Sequence, residues 1–88
     1  MQYNFPAIKT TNGLIQQIAK IQEELDELLD AALSPDLNRV YDELMDVGQA
    51  FETCCRITEK YGMNRHKAMR DNIRKNTLRG YFDEVEGI

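Results

Sequence analysis

Two pairs of carboxylates with the same spacing stand out in the middle of the chain. Glu24 is followed three residues later by Glu27, and Glu43 is followed three residues later by Asp46. Residues three apart lie on the same side of an α-helix, so each pair offers two carboxylates to one partner. Carboxylate oxygens are preferred ligands of hard divalent cations such as Mg²⁺ and Mn²⁺. The spacing indicates a metal site, and the alternative is a solvated acidic face, where such pairs are common.

Apolar residues recur at helical spacing on both sides of Ser34-Pro35. The first series is Leu14, Ile18, Ile21, Leu25, Leu28 and Ala32. The second series is Leu37, Val40, Leu44, Val47, Phe51, Cys54, Thr58 and Tyr61. Alternating steps of three and four are typical of amphipathic helices, so these two series predict a packed seam between two helices. We also expect Met45, Phe51 and Tyr61 to belong to the core.

Capping residues set the expected helix ends. The first helix is predicted from about Thr11 or Asn12 to Leu33. The second is predicted from Pro35 to Tyr61, with Ser34 as its cap and Gly62 as a left-handed stop. A third is predicted from Arg65 to Thr77, capped by Asn64, with Met69 and Ile73 facing inward.

The predicted hairpin brings the two acidic pairs to the same height. If the chain reverses at residue 35, neighbours across the hairpin have residue numbers that total roughly 70. Glu24 then lies level with Asp46, and Glu27 level with Glu43. Like charges at one level disfavour ionisation, so some of these acids should have raised pKa values unless a cation binds them.

Length and composition predict one small all-α domain: an antiparallel helical hairpin plus a third helix. The chain has 88 residues, of which 42% are hydrophobic. We divide it into an N-terminal extension (1–12), the helical part and a C-terminal tail (81–88). The apolar stripe is wider than one hairpin can cover. We therefore expect a homodimer or homotetramer that builds a four-helix-type bundle.

Charge is unevenly distributed along the chain. Most of the acidic residues precede residue 63, whereas residues 63–79 carry six basic side chains and one acid. Candidates for binding an anionic substrate are Lys75, Arg79, Asn76 and Arg74. The simpler interpretation is that these basic residues pair with acids of the hairpin or of a second subunit. Gln17 and Lys20, one to two turns before the first acidic pair, are candidates for lining a cleft.

Several other classes of protein are disfavoured. Cys54 and Cys55 are adjacent, so they cannot form an ordinary structural disulfide with each other, and free thiols favour a cytoplasmic location. We expect no signal peptide and no membrane span. A di-iron bundle needs Glu-x-x-His pairs, and Met63 stands three residues before the single histidine, His66. Nucleic-acid binding is also disfavoured, because the chain is acidic overall and the basic run is short.

The two acidic pairs, together with DNIRKNTLRG after them, resemble the MazG-like all-α nucleoside triphosphate pyrophosphohydrolases over about residues 14–80. The resemblance implies hydrolysis of the α–β phosphoanhydride of a nucleotide, which gives a monophosphate and pyrophosphate. It implies that the carboxylates Glu24, Glu27, Glu43 and Asp46 hold Mg²⁺ and that Lys75 and Arg79 contact phosphate.

Our functional hypothesis is a Mg²⁺-dependent nucleotide pyrophosphohydrolase, with Mn²⁺ as a substitute metal. Glu24 or Glu27 is the predicted catalytic base that takes the proton from the attacking water, and the sequence leaves both open. The competing hypothesis is a helical oligomerisation or partner-binding module without a metal.

Overall fold

The computed structural model describes residues 5–82 and contains only helices and connecting segments there. The helices are α1 (Leu14–Ala32), α2 (Leu37–Glu59) and α3 (Arg65–Leu78). Helices α1 and α2 pack side by side as an antiparallel hairpin. The predictions of an all-α chain and of three helices are therefore confirmed, and the predicted tail at 83–88 lies outside the described residues.

The turn between α1 and α2 differs from the prediction in the residue that caps α2. Helix α2 begins at Leu37, and its cap is Asp36, whose Oδ1 accepts a hydrogen bond from the Asn38 amide at 3.0 Å. Ser34 instead accepts from the Asp36 amide at 3.2 Å. Aspartate is at least as good a cap as serine, and it takes the role here.

The start of α1 also differs, since it begins at Leu14 with Gly13 as its cap residue. Helix α2 ends at Glu59, two residues before the predicted Tyr61, and Gly62 follows as the predicted left-handed stop with a φ of 88°. Asn64 caps α3, with its Oδ1 accepting from the Lys67 amide at 3.0 Å. Local capping chemistry thus accounts for both connections between the helices.

The seam between α1 and α2 is rotated by one residue from the prediction. Buried positions of α1 are Gln17, Glu24 and Ala31, and those of α2 are Ala50, Thr53 and Ile57. Leu25 and Leu44, which were predicted in the seam, are 46% and 40% exposed. Small residues such as Ala31 and Ala50 let the two backbones approach. The larger leucines are left at the edge of the contact.

This rotation separates an apolar flank from an acidic flank. Ile18 and Leu25 directly follow the buried Gln17 and Glu24, so they lie about 100° around the helix from them. Glu27, three residues after Glu24, lies about 60° in the opposite sense. Helix α2 repeats this arrangement. We call the exposed side chains on the first flank the apolar face: Ile18, Leu25, Leu29, Leu44 and Phe51. The carboxylates lie on the other flank.

Within residues 5–82, α1 and α2 form the one closely packed pair of helices. Helix α3 therefore does not pack along the hairpin there. Met69 and Ile73, predicted to face inward, are half exposed. An ionic contact fixes the start of α3 instead. Arg65 Nη1 donates to Glu52 Oε1 at 2.8 Å, and Arg65 Nη2 donates to Glu59 Oε1 at 2.7 Å. The expectation that basic residues pair with hairpin acids is therefore met by Arg65.

Residues 5–13, which we call the strap, cross α2 and run toward the start of α1. Gln49 Nε2 donates to the Pro6 carbonyl at 2.8 Å, and Arg56 Nη2 donates to the Phe5 carbonyl at 3.3 Å. The Phe5 ring lies so close to Gly48 that a Cβ atom there would be 2.6 Å from the ring. The strap is thus anchored through its backbone carbonyls and one aromatic ring.

Within the described residues, the helices lack the combination of length and apolar character that a membrane crossing requires.

Candidate metal centre and adjoining cleft

Three of the four predicted metal ligands come together. Glu24, Glu27 and Glu43 each offer one carboxylate oxygen, and these three oxygens lie within 4.8 Å of one another. Glu24 and Glu27 are adjacent on α1, and the antiparallel packing of α2 brings Glu43 level with them. We call these residues the carboxylate triad.

The triad contains buried oxygens without hydrogen-bond partners. Glu24 is only 7% exposed, and Oε2 of Glu24 and Oε2 of Glu43 are both buried and unpaired within the described residues. Burying an ionised oxygen without a partner costs at least several kcal/mol in principle, unless the group is neutralised or bound by a cation. These two atoms therefore separate the triad from a solvated acidic face, whose oxygens would all contact water.

The charges of the triad are only partly compensated by the protein. Lys20 Nζ lies 2.9 Å from Glu24 Oε1, and this contact raises the pKa of Lys20. The negative charge of Glu24, with a smaller effect from Glu43, raises the pKa of Glu27. The prediction that some of these acids have raised pKa values is confirmed for Glu27. A divalent cation bound to the triad would offset the negative charge that raises the pKa of Glu27.

The geometry suits a small cation of the predicted type. Mg²⁺ holds oxygens at about 2.1 Å, which brings any two ligands of one ion within roughly 4.2 Å of each other. The triad oxygens need only a small further approach, and carboxylate side chains supply it by rotation. An all-oxygen donor set favours Mg²⁺ or Mn²⁺ over Zn²⁺, which prefers nitrogen and sulfur.

Asp46 stands apart from the triad, although the predicted spacing groups it with the other three residues. It is exposed on α2 and lines a cleft together with Glu24. Asp46 is not one of the three residues whose carboxylate oxygens converge. Its role as a metal ligand stays a prediction.

The cleft beside the triad lies between the strap and the hairpin and has a volume of about 380 Å³. The strap contributes Ile8, Lys9, Thr10 and Asn12; the helices contribute Gln17, Lys20, Glu24, Asp46, Gln49, Ala50 and Thr53. The volume falls within the range of roughly 300–1,000 Å³ that is usual for small-molecule sites. The structure thus places both Gln17 and Lys20, the two sequence candidates for a cleft, in this lining.

A buried amide defines the end of the cleft away from the triad. Gln17, 3% exposed, donates from Nε2 to the Ala50 carbonyl at 3.0 Å. Its Oε1 accepts a hydrogen bond from Asn12 Nδ2, also at 3.0 Å. The two contacts fix both amides in orientation and connect the strap to the seam. The helices consequently offer charged groups near Glu24 and uncharged amides near Gln17, and Lys9 of the strap adds a further cation to the cleft.

The basic candidates of α3 do not take part in this cleft. Arg74, Lys75 and Arg79 line a shallow groove on α3 itself. Asn76 Nδ2 donates to Asn72 Oδ1 at 3.2 Å, and the Arg79 guanidinium stacks over Tyr81 at 6.0 Å from the ring centre. Helix α3 begins beyond Glu59, which is sixteen residues or roughly 24 Å along α2 from Glu43. The structure therefore does not bring these four residues to the triad within one chain.

The strap residues of the cleft were not singled out by the sequence. Lys9, Thr10 and Asn12 belong to a stretch without helical periodicity, and nothing in their spacing indicates where they dock. One signal was available in retrospect. Gly48 lies inside α2, and an internal helix glycine often marks a close approach by another segment.

The triad, its unpaired oxygens and the adjoining cleft form a compact candidate site on one flank of the hairpin. Comparisons with models of known protein families, with curated proteins and with solved structures found no match to this chain.

Proposed function

We propose that this chain is a Mg²⁺-dependent nucleoside triphosphate pyrophosphohydrolase of the MazG-like type, which cleaves between the α and β phosphates. One observation carries the proposal: three glutamates from two helices converge around buried, unpaired oxygens beside a cleft. Carboxylates that approach one another in this way destabilise a purely structural core, but they are suited to holding a cation. The resemblance in the spacing of the acidic pairs supports the same assignment.

The metal would be held by Glu24, Glu27 and Glu43, with Asp46 at the edge of the site. When bound, Mg²⁺ polarises phosphate oxygens and acidifies a coordinated water. A triphosphate is strongly anionic and would otherwise be repelled by this flank of the hairpin. The metal thus explains how an acidic surface can accept such a substrate.

The chain's own residues then position the reactants and move one proton. A water oxygen bonds to the α phosphorus, the bond to the α–β bridging oxygen breaks, and pyrophosphate leaves. Glu27 is the better placed base of the two candidates because it is exposed, whereas Glu24 is buried and contacts Lys20. Catalysis of this type depends mostly on positioning and charge.

Cations of the cleft and of a second subunit would hold the phosphates. Lys9 and Lys20 line the cleft directly, and no acidic group of residues 5–82 pairs with Lys9. Arg74, Lys75, Asn76 and Arg79 can contribute only if another copy brings its α3 to the triad. We therefore retain these four as substrate-binding candidates in an oligomer.

A homodimer or homotetramer is part of this proposal. The apolar face leaves large side chains such as Leu29 and Phe51 more than half exposed, which is unusual for a monomer of this size. Pairing two hairpins through these faces would form a four-helix-type bundle. The acidic flank would stay open, because it lies on the other side of the seam.

The experiment that tests the function is a screen of nucleoside triphosphates with Mg²⁺, in which pyrophosphate and orthophosphate are assayed separately. Pyrophosphate as the first product, lost in EDTA, supports the proposal. Orthophosphate as the first product, or activity that persists in EDTA, contradicts it.

A second candidate function follows from the apolar face. A helical oligomerisation or partner-binding module would use that face and would need no cation. Calorimetry discriminates between the two: a module gives no heat of Mg²⁺ or Mn²⁺ binding that depends on Glu43.

A further inference from the structure

We propose that the strap is part of the substrate site: the end of its cleft away from the triad binds the base and sugar of the nucleotide, with Asn12 and Gln17 as specificity-determining residues. This inference rests on the proposed function for the identity of the ligand. The cleft itself is defined by the geometry of the strap and the hairpin.

The change in polarity along the cleft supports this orientation. Glu24, Lys20 and Asp46 line one end, next to the triad that would hold the phosphates. Gln17 lies two turns earlier on α1, roughly 10 Å along the helix axis. There the helices contribute amides, a hydroxyl group and the apolar Ala50, and the strap contributes Ile8, Lys9, Thr10 and Asn12. A nucleotide has the same polarity, with charge at one end and a flat, neutral, hydrogen-bonding ring at the other.

The amides of the buried Gln17 and the half-buried Asn12 are suited to reading a base edge. Gln17 uses one Nε2 hydrogen for Ala50 and its Oε1 for Asn12, which fixes the amide plane. The second Nε2 hydrogen of Gln17 and the Oδ1 of Asn12 have no hydrogen-bond partner recorded among residues 5–82. A donor and an acceptor held in fixed orientation discriminate bases, because a mismatched base leaves a buried polar group unpaired.

The strap also has an anchor that can be changed without touching the cleft. The Phe5 ring occupies the space where a side chain at position 48 would begin. Gly48→Ala displaces that ring, and alanine inside a helix is otherwise more favourable than glycine. This variant should loosen the strap while leaving α2 folded.

The first experiment is a titration of isotope-labelled protein with the four common ribonucleoside and deoxyribonucleoside monophosphates in EDTA, followed by NMR. We expect the side-chain amide signals of Asn12 and Gln17 to shift with at least one monophosphate and not with inorganic phosphate. Shifts confined to α3, shifts of equal size with inorganic phosphate, or no shifts overturn the proposal. The titration needs neither metal nor catalysis, so its result is independent of whether the hydrolase proposal holds.

The second experiment compares kcat/KM over a panel of nucleoside triphosphates. Asn12→Ala should lower kcat/KM about tenfold for the preferred base and less for the others, since one hydrogen bond to the base is lost. Thr11→Ala is the matched control, because Thr11 neighbours Asn12 and does not line this cleft. Gly48→Ala should raise KM more than it lowers kcat. An equal loss for every nucleotide in Asn12→Ala overturns the assignment of specificity, while wild-type activity would still uphold the hydrolase.

Discussion

Glutamates in two regions of α2 have opposite electrostatic surroundings. Glu43 belongs to the carboxylate triad, where the nearest charges from α1 are acidic and two buried oxygens lack partners. Glu52, nine residues later, receives bidentate hydrogen bonds from Arg65, with both contacts at 2.8 Å, and a further one from Arg56 at 2.9 Å. One cluster is assembled from like charges and the other from opposite charges.

The pKa shifts follow this difference. Hydrogen bonds from Arg65, supported by Arg56, lower the pKa of Glu52. The charge of Glu24 raises the pKa of Glu27. The charge of Glu52 is balanced by Arg65 and Arg56, whereas the charges of the triad are only partly balanced by Lys20. An unpaired buried atom is not sufficient evidence of a site, since Arg65 Nε also lacks a partner. The triad differs because all its members carry the same charge.

The largest expected effect is on catalysis through Glu43. Glu43→Gln keeps the shape of the side chain and removes one negative ligand. We expect pyrophosphate release to fall at least about 100-fold and Mg²⁺ binding to weaken in parallel, since a metal ligand is lost. Circular dichroism should show unchanged helices. Asp42→Asn, an exposed neighbour, is the control, and equal losses in both variants would contradict the assignment.

Arg65→Ala tests the other cluster through stability. It leaves Glu52 and Glu59 without their shared partner, which should cost about 1–3 kcal/mol. Native-state hydrogen exchange should show the loss in α3 and at the end of α2. Arg70→Ala, on the same helix and without an ion pair among residues 5–82, should change little. Mg²⁺ affinity should stay the same in both variants. A reduced affinity in Arg65→Ala would show that the two clusters are coupled.

Glu27→Gln should have opposite effects on the stability of the protein and on its Mg²⁺ binding. Removing one of three like charges should raise the melting temperature in EDTA, because the repulsion with Glu24 disappears. The same change should weaken Mg²⁺ binding about tenfold or more. Asp26→Asn removes an exposed charge outside the triad and should do neither. A Glu27→Gln protein that is less stable in EDTA would show that the triad is not a repulsive cluster.

The smallest expected effects are in the pH dependence of stability in EDTA. Because the pKa of Glu52 is lowered from 4.5, its contribution is present above that pH and is lost as pH falls through the folded-state value. Because the pKa of Glu27 is raised from 4.5, stability decreases as pH rises through the region just above that value.

Urea unfolding at a series of pH values measures both contributions. In Arg65→Ala, the decrease in stability with falling pH that comes from Glu52 should largely disappear. In Glu27→Gln, the decrease in stability with rising pH that comes from Glu27 should disappear. Saturating Mg²⁺ should also abolish the latter. Identical pH profiles for the wild type and both variants would contradict the contrast between the two clusters.

Much of the fold could be predicted from the sequence, for local reasons. Asn64 and Gly62 act through groups only a few residues away, so their roles as cap and stop were correctly expected. Heights along the hairpin depend only on the rise per residue, which explains why Glu43 was correctly placed level with Glu27. The cap at Asp36 was missed because Ser34, two residues earlier, is also a favourable cap residue.

The candidate site was only partly predictable. The rotation of each helix about its axis depends on which side chains let the backbones approach, and several rotations satisfy a broad apolar stripe. The strap docks through backbone carbonyls and a single ring, and neither feature leaves a periodic pattern. Helix α3 was expected to pack inward because it carries apolar residues, yet Met69 and Ile73 have no partner helix within the described chain.

The sequence by itself determined where the helices lie and which acids share a level, because capping and helical rise are properties of short stretches of backbone. Only the tertiary structure decided that Glu24 and Glu43 face the seam while Leu25 and Leu44 are left at its edge. It also decided that Ile8, Lys9, Thr10 and Asn12 line one side of a cleft beside the triad. These outcomes depend on how side-chain volumes fit between segments that are distant in sequence, and no local rule fixes that fit.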